Sequence, residues 1–278
     1  MSKVTTEQLL EAGVHFGHLK RKWNPAMAPY IYMEKNGIHI IDLNKTAAKL
    51  DEAGQALKQV VKSGRKVLFV STKKQAKEIV ANAAKQLGMP YVTERWPGGM
   101  LTNFATIRKA VRKMSQIDKM ATDGTFDNIS KKEKLTISRE REKLEKNLGS
   151  ISDLSRLPAA LFIVDISKEH IAVAEAKRLG IPTYGIVDTN SNPNLVDYAI
   201  PGNDDAAKSV QVILNTLVLY IEEGLAERKF DKDKTDNEED GVIDTEGTFA
   251  GTESEEDGEK RRSGGGGGRT RSRRGATA

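Results

Sequence analysis

Apolar residues recur along this chain in two periods, and the alternation between them lays out most of the fold. Thr5-x-x-Gln8 is a capping-box pattern, and Leu9, Leu10 and Val14 behind it predict a short amphipathic helix ending near Gly13. The next stretch, HFGHLKRKWNPAMAPY, holds neither period and is expected to form an extended loop or arm. Tyr30 to Met33 and Ile38 to Ile41 flank a Glu-Lys-Asn-Gly turn and predict a small hairpin. From Asn44 onward, helix is expected over Lys45 to Lys62, stopped by Gly64, then a strand at Val67 to Val70. A helix capped by Thr72-x-x-Gln75 then runs to Leu87, with a strand at Pro90 to Thr93. The pattern resumes with a strand at Leu161 to Val164, a helix from Ser167 to Leu179, strands at Thr183 to Val187 and Tyr198 to Ile200, and a last helix from Asp205 to about Glu227. Short apolar runs between amphipathic helices predict an α/β domain: a parallel sheet of about five strands with helices on both faces.

Between the two halves lies a different object. Phe104, Ile107, Val111, Met114 and Ile117 recur at helical spacing, and after a turn at Asp123-Gly124 a second helix opens with Ser130-x-x-Glu133. Ile137, Leu144 and Leu148 carry its apolar seam to Gly149, so an inserted α-helical hairpin is expected. Residues 95–146 carry 13 basic and 7 acidic side chains. Arg108, Lys109, Arg112 and Lys113 on its outer face are candidate phosphate contacts, although a solvated helix face reads the same way. Beyond Phe230 the apolar pattern stops, giving way to charge blocks and the run Gly264 to Gly268, which predicts a disordered tail. The expected divisions are 1–43 for the N-terminal helix, basic-aromatic arm and hairpin, 44–102 and 151–229 for the two halves of the α/β domain, 103–150 for the insertion and 230–278 for the tail.

Charge sharpens this picture. Residues 1–229 hold 35 Lys and Arg against 26 Asp and Glu, a net +9; residues 230–259 hold 2 against 13, and 260–278 hold 7 against none. A basic body favours a polyanionic partner, because each Lys or Arg placed on a phosphate releases condensed counterions. The final arginine-glycine segment suits a flexible arm grazing RNA, with the acidic block as its shield or a solubility device. The chain has no cysteine, which removes disulfides, thiolate metal sites and thiol nucleophiles and fits a reducing compartment. MSKVTTEQLLEAG lacks the apolar core of a secretory signal, and the apolar stretch at Val212 to Ile221 is broken by Asn215 and Thr216, so a soluble cytoplasmic protein without membrane contact is expected.

An α/β enzyme would show itself in the turns at the carboxyl ends of the strands. Those turns read Ser71-Thr72-Lys73-Lys74, Arg95-Trp96-Pro97-Gly98-Gly99, Asp165-Ile166-Ser167 and Asp188-Thr189-Asn190, with neither a P-loop nor a G-x-G-x-x-G among them. Asp165, Asp188, Asp204 and Asp205 invite a Mg²⁺ reading, as in a phosphohydrolase using Asp165 and Asp188, but are read as helix caps and turn formers. His15-x-x-His18 lacks the Glu of a zinc protease, and His170 is the lone histidine of the sheet half, so neither a metal site nor a catalytic triad is expected. No cofactor is called for. Basic residues interleaved with planar ones occur twice, in Lys20-Arg21-Lys22-Trp23-Asn24 and in Arg95-Trp96 beside Gly98-Gly99, and these point to RNA.

The blocks AGVHFGH, WNPAMAPYI, IHIIDL, VLFVSTKKQA, RWPGGMLTNF, LPAALFIVD, LGIPTYGIVDTNSNP and IPGNDDA, in this order, resemble the bacterial small-subunit ribosomal protein S-two family over roughly residues 5–226. The resemblance implies a Rossmann- or flavodoxin-like domain bearing a projecting coiled-coil hairpin, a structural and non-catalytic role, a seat between head and body of the small subunit, contact with ribosomal RNA and neighbouring ribosomal proteins, and docking of the mRNA-binding protein S-one. Its RNA-facing segments would fall on His18, Lys20, Arg21, Lys22, Trp23 and Asn24, on Lys73 and Lys74, and on Arg95, Trp96, Gly98, Gly99, Thr102 and Asn103. Ser71 stands where the family often has glycine and Pro97 where it often has leucine. An adhesion or receptor relative of the same family is disfavoured by the hairpin insertion.

Overall fold

The computed structural model of the chain describes residues 3–123 and 130–243, with the backbone alone for 232–243. Its elements run α1 (Thr6–Glu11), β1 (Phe16–Leu19), β2 (Ile31–Lys35), β3 (Ile38–Ile41), α2 (Leu43–Lys62), β4 (Val67–Val70), α3 (Lys77–Gln86), β5 (Tyr91–Val92), α4 (Phe104–Thr122), α5 (Lys131–Leu148), β6 (Ala160–Val164), α6 (His170–Leu179), β7 (Thr183–Val187), β8 (Tyr198–Pro201) and α7 (Ala207–Ile243). The chain divides after Lys234 into two units, and of the second the structure describes only helical backbone to Ile243.

Five strands form one sheet in the order β5-β4-β6-β7-β8, every pair parallel. Successive strand residues point to opposite faces, and both faces are apolar because both are covered. Val67, Phe69, Phe162, Val164 and Ile186 pack with Leu50 and Leu57 of α2, Val80 of α3 and Ile213 and Leu217 of α7. Leu68, Val70, Leu161, Ile163 and Val187 pack on the other face with Ala172 and Ala176 of α6 and with Met100, Leu101 and Ile151. Taking each large strand side chain fully out of water contributes roughly 2 kcal/mol, so burial on both faces holds the sheet between the two layers. The strand order reverses direction between β4 and β6, and the crevice this opens at their carboxyl ends is where α/β sheets place ligand sites.

The α/β pattern read from the sequence corresponds to this sheet, and α1 closes with the expected capping box, Thr5 and Gln8 exchanging bonds of 3.0 and 3.3 Å. Three expectations need correction. The segment from His15 to Tyr30 is not a loop: Phe16–Leu19 pairs antiparallel with β3 to make a three-stranded sheet, β1-β3-β2, and two 3-10 turns follow at Lys20–Lys22 and Pro25–Tyr30. This pairing rests on distant residues. Gly17 lies so close to the 188–190 turn that a Cβ there would meet Thr189 Cγ2 at 2.5 Å, and no local period encodes such a contact. Second, Thr72 does not cap α3, which starts at Lys77; its N–H and hydroxyl both donate to Glu169 across the crevice. Third, α7 continues to Ile243 rather than ending near Glu227, in a stretch with neither glycine nor proline between Gly224 and Gly241. The rest of the expected disordered tail, 244–278, and the centre of the hairpin turn, 124–129, lie outside the described residues.

Helices α4 and α5, inserted between β5 and β6, lie against each other. Met114 and Ile117 are buried between them, and Arg141 Nε donates to Asp118 at 2.6 Å. Ser130 caps α5 by accepting the N–H of Glu133.

Candidate nucleic-acid interface

The crevice at the carboxyl ends of the strands is filled by the protein's own charges. Lys73 follows β4 and reaches across it, its Nζ lying 2.7 Å from Asp204 Oδ1, 2.7 Å from Asp205 Oδ1 and 3.6 Å from Asp165 Oδ2. His18 leaves β1 toward the same cluster, with Nδ1 3.1 Å from Asp188 Oδ2 and Nε2 3.4 Å from Asp205 Oδ2. Burial works against the Lys73 charge, but hydrogen bonds to Asp204 and Asp205 outweigh it and lift the ammonium to about 12. The hydrogen bond to Asp188 raises His18. Lys73 and His18 thus face four aspartates, Asp165, Asp188, Asp204 and Asp205. Asp204, wholly buried and beside Asp188 and Asp165, is pushed up to about 7, while its neighbour Asp205 is held low by Lys73.

Of the four aspartates expected to cap helices or form turns, Asp165 forms a turn, accepting the N–H of Lys168 at 3.1 Å from a left-handed backbone (φ 66°). Asn203 forms the turn ahead of α7, its Oδ1 accepting the N–H groups of Asp205 and Ala206. His18, Asp188 and Asp204 each offer one ligand-type atom within 4.8 Å of the others, a nitrogen and oxygen set that suits a divalent cation, the one such set among the described residues. His15 is no part of it.

The first basic-aromatic segment is held from beneath. Thr189 Oγ1 accepts the N–H of His18 at 2.7 Å, and the Thr189 carbonyl accepts that of Asn24 at 2.8 Å. The Asn24 side chain caps the 3-10 turn that follows. Lys20, Arg21, Lys22 and Trp23 are exposed; the Trp23 ring packs 5.1 Å from His39, and Lys20 pairs with Glu34 at 2.7 Å.

In the second segment the structure separates residues that the sequence runs together. Trp96 is buried, its indole N–H donating to Glu175 Oε1 at 3.1 Å, and Gly99, Leu101 and Thr102 donate their backbone N–H groups to the same carboxylate at 2.8, 2.9 and 3.1 Å. Burial pushes the Glu175 carboxyl up, but these donors outweigh it and hold it below its ordinary range. Gly99 adopts φ +83°, which a side chain would strain. Arg95, Gly98 and Asn103 remain on the outside, as do Lys74, Lys109 and Arg112. Arg108 donates to the Ser155 carbonyl at 3.0 Å, and Lys113 pairs with Glu140.

Of the residues read from the sequence as RNA-facing, Lys73 and Trp96 are buried, while Gly99 and the exposed Thr102 spend their backbone N–H groups on Glu175. Sequence reasoning also missed Glu175 and Glu169. Glu175 lies on the apolar stripe of α6 with Ala172, Val173 and Ala176, and a charge at that core-facing position was its signal, whereas Glu169 is the N-cap residue just ahead of α6 and no local pattern marks it.

Fold and site together define an α/β scaffold whose crevice is closed by its own ion pairs while its unpaired cations face outward, an arrangement for binding rather than turnover. The model of the family "Ribosomal protein S2" matches residues 9–224. The small ribosomal subunit protein uS2 of Parabacteroides distasonis is 70% identical over 232 residues, covering 84% of each chain, and that of Porphyromonas gingivalis is 68% identical over 232 residues, covering 84% of this chain and 83% of its own. The chain belongs to the ribosomal protein S2 family. It is accordingly a structural protein of the small ribosomal subunit and not an enzyme, and its place is on the cytoplasmic ribosome. Among the described residues no helix is long and apolar enough to cross a membrane.

Proposed function

We propose that this chain binds small-subunit ribosomal RNA between head and body through three outward-facing segments, and helps dock the mRNA-binding protein S-one. The segments are Lys20 to Trp23, Lys74 with Arg95, Gly98 and Asn103, and Arg108, Lys109, Arg112 and Lys113 on α4. One observation carries the reading: Arg21, Lys74, Arg95, Lys109 and Arg112 are exposed and have no hydrogen-bond or ion-pair partner among the described residues, whereas the crevice cation Lys73 is buried among carboxylates, hydrogen-bonded to Asp204 and Asp205. Unpaired guanidinium and ammonium groups on a rigid scaffold are what a phosphate backbone recruits. His18 and Asn24 support the first segment, and Trp96, Gly99 and Thr102 support the second.

Helices α4 and α5 act in this reading as a coiled-coil hairpin presenting the third segment, and the arginine-glycine end of the chain as an arm that grazes RNA. The competing phosphohydrolase reading of Asp165 and Asp188 loses its open site to Lys73 and His18. A sucrose gradient of cell lysate tests the proposal: the chain is expected to co-sediment with small subunits through a high-salt wash. Purified protein that ignores small-subunit RNA at moderate salt would overturn it.

A further inference from the structure

Loop N–H groups converging on one point, of the kind Gly99, Leu101 and Thr102 present, are an anion cradle; in nucleotide-binding proteins such a cradle takes phosphate. Here it is already full. Glu175 Oε1 receives Trp96 Nε1 and the Gly99 N–H, and Oε2 receives the N–H groups of Leu101 and Thr102 and the Thr102 hydroxyl at 3.2 Å. Glu175 is buried and comes from α6, a helix about seventy residues further along the chain, so the carboxylate ties the loop to that helix rather than to its own neighbours.

We infer that Glu175 is a built-in anion: it occupies the cradle of the 96–102 loop in place of a phosphate, and in doing so positions Arg95, Gly98 and Asn103 on the loop's outer side for RNA. The inference rests on the reading of that loop as an RNA-binding segment. It also reassigns the Gly98-Gly99 pair, because the Gly99 amide is consumed inside the protein and RNA meets only the outer surface. Glu175 is thus a positioning residue that need not touch RNA.

The test uses the full chain and small-subunit ribosomal RNA. Glu175→Ala is expected to weaken binding about tenfold, the scale of one lost charge-assisted hydrogen bond, and added acetate, which can refill the cradle, is expected to restore most of it. Arg95→Ala should weaken binding in the wild-type background and have much less effect in Glu175→Ala, since an unheld loop no longer aims the guanidinium. The chain has two tryptophans, so the indole N–H resonance of Trp96 should shift in Glu175→Ala while that of Trp23 stays in place. If the alanine variant does not fold, the same comparisons are made with Glu175→Gln, which fits the space but loses the charge. Unchanged affinity in the Glu175 variants while Arg95→Ala is weakened would overturn the inference and leave the RNA surface standing. Additive losses from the two substitutions would do the same. Unchanged affinity in every variant would overturn the RNA reading of the loop and the inference with it.

Discussion

Lys73 Nζ, in the turn after β4, stands 2.7 Å from Asp204 Oδ1, in the turn after β8, a contact across the crevice between residues 131 positions apart. It decides what the crevice is for. An ammonium hydrogen-bonded to Asp204 and Asp205, with Asp165 Oδ2 3.6 Å away, is held among carboxylates rather than presented to a phosphate. Lys73→Met is therefore expected to destabilise the fold by about 3 kcal/mol, because it leaves the buried Asp204 uncompensated. Urea denaturation at pH 7.5 measures this, and a loss under about 1 kcal/mol would show that the pair is not what holds the crevice closed.

Glu175 gives the fold a pH dependence with a definite sign. Its folded-state pKa lies below the ordinary value of 4.5, so its stabilisation is present in full above that value and is lost as the pH falls through the lower folded one. Glu175→Gln is thus expected to be less stable than wild type at pH 6 to 7, with the gap narrowing below pH 4.5. A gap that widened on acidification would contradict the assignment of its five donors.

Arg21 and Lys22 are expected to contact phosphate. Arg21→Glu combined with Lys22→Glu should weaken binding to small-subunit RNA and reduce the slope of log K against log salt by about two, one for each lost contact. Thermal unfolding should be nearly unchanged. An unaltered salt slope would place RNA elsewhere on the protein.

Gly98 separates folding from recognition. A Cβ built there meets nothing within 4 Å, and its backbone does not require glycine, so Gly98→Ala should leave stability within about 0.5 kcal/mol of wild type. A loss of RNA affinity in that variant would locate close backbone approach at the outer surface of the loop; equal affinity would remove Gly98 from the interface. The contrasting variant is Gly17→Ala, where a Cβ meets Thr189 Cγ2 at 2.5 Å and the His39 carbonyl at 3.0 Å, and a cost of about 2 kcal/mol is expected.

Deleting residues 230–278 should leave incorporation into small subunits intact while changing affinity for RNA or a protein partner. Ribosome profiles of cells carrying only the shortened chain measure the first part, and a chain found wholly at the top of the gradient would refute it.

Periodicity reported on the sheet well because each strand is sealed on both faces: Val67 to Val70 and Leu161 to Val164 are wholly apolar, and no polar partner is needed to place them. It failed where long-range bonds decide. Thr72 and Gln75 carry a capping pattern, but Glu169 captures the threonine. Lys73 and Lys74 are adjacent and alike in sequence, yet one is buried among carboxylates and the other exposed, since only the first meets residues brought in after β6 and β8. Trp23 and Trp96 both sit beside basic residues; the burial of Trp96 depends on Glu175, 79 positions away.

Anchorage of the first basic segment by the last part of the domain has a consequence for the order of events during synthesis. Residues 13–24 leave the polypeptide exit early, but what holds them is made late: Thr189 grips His18 and Asn24, and Asn203 bonds the carbonyls of Gly13 and Val14. Contacts of such separation form only after the intervening chain exists. A nascent chain shorter than about 204 residues therefore cannot set its arginine and lysines in their final places. If the segment binds RNA as proposed, competence to do so is expected only of molecules whose synthesis has passed that point.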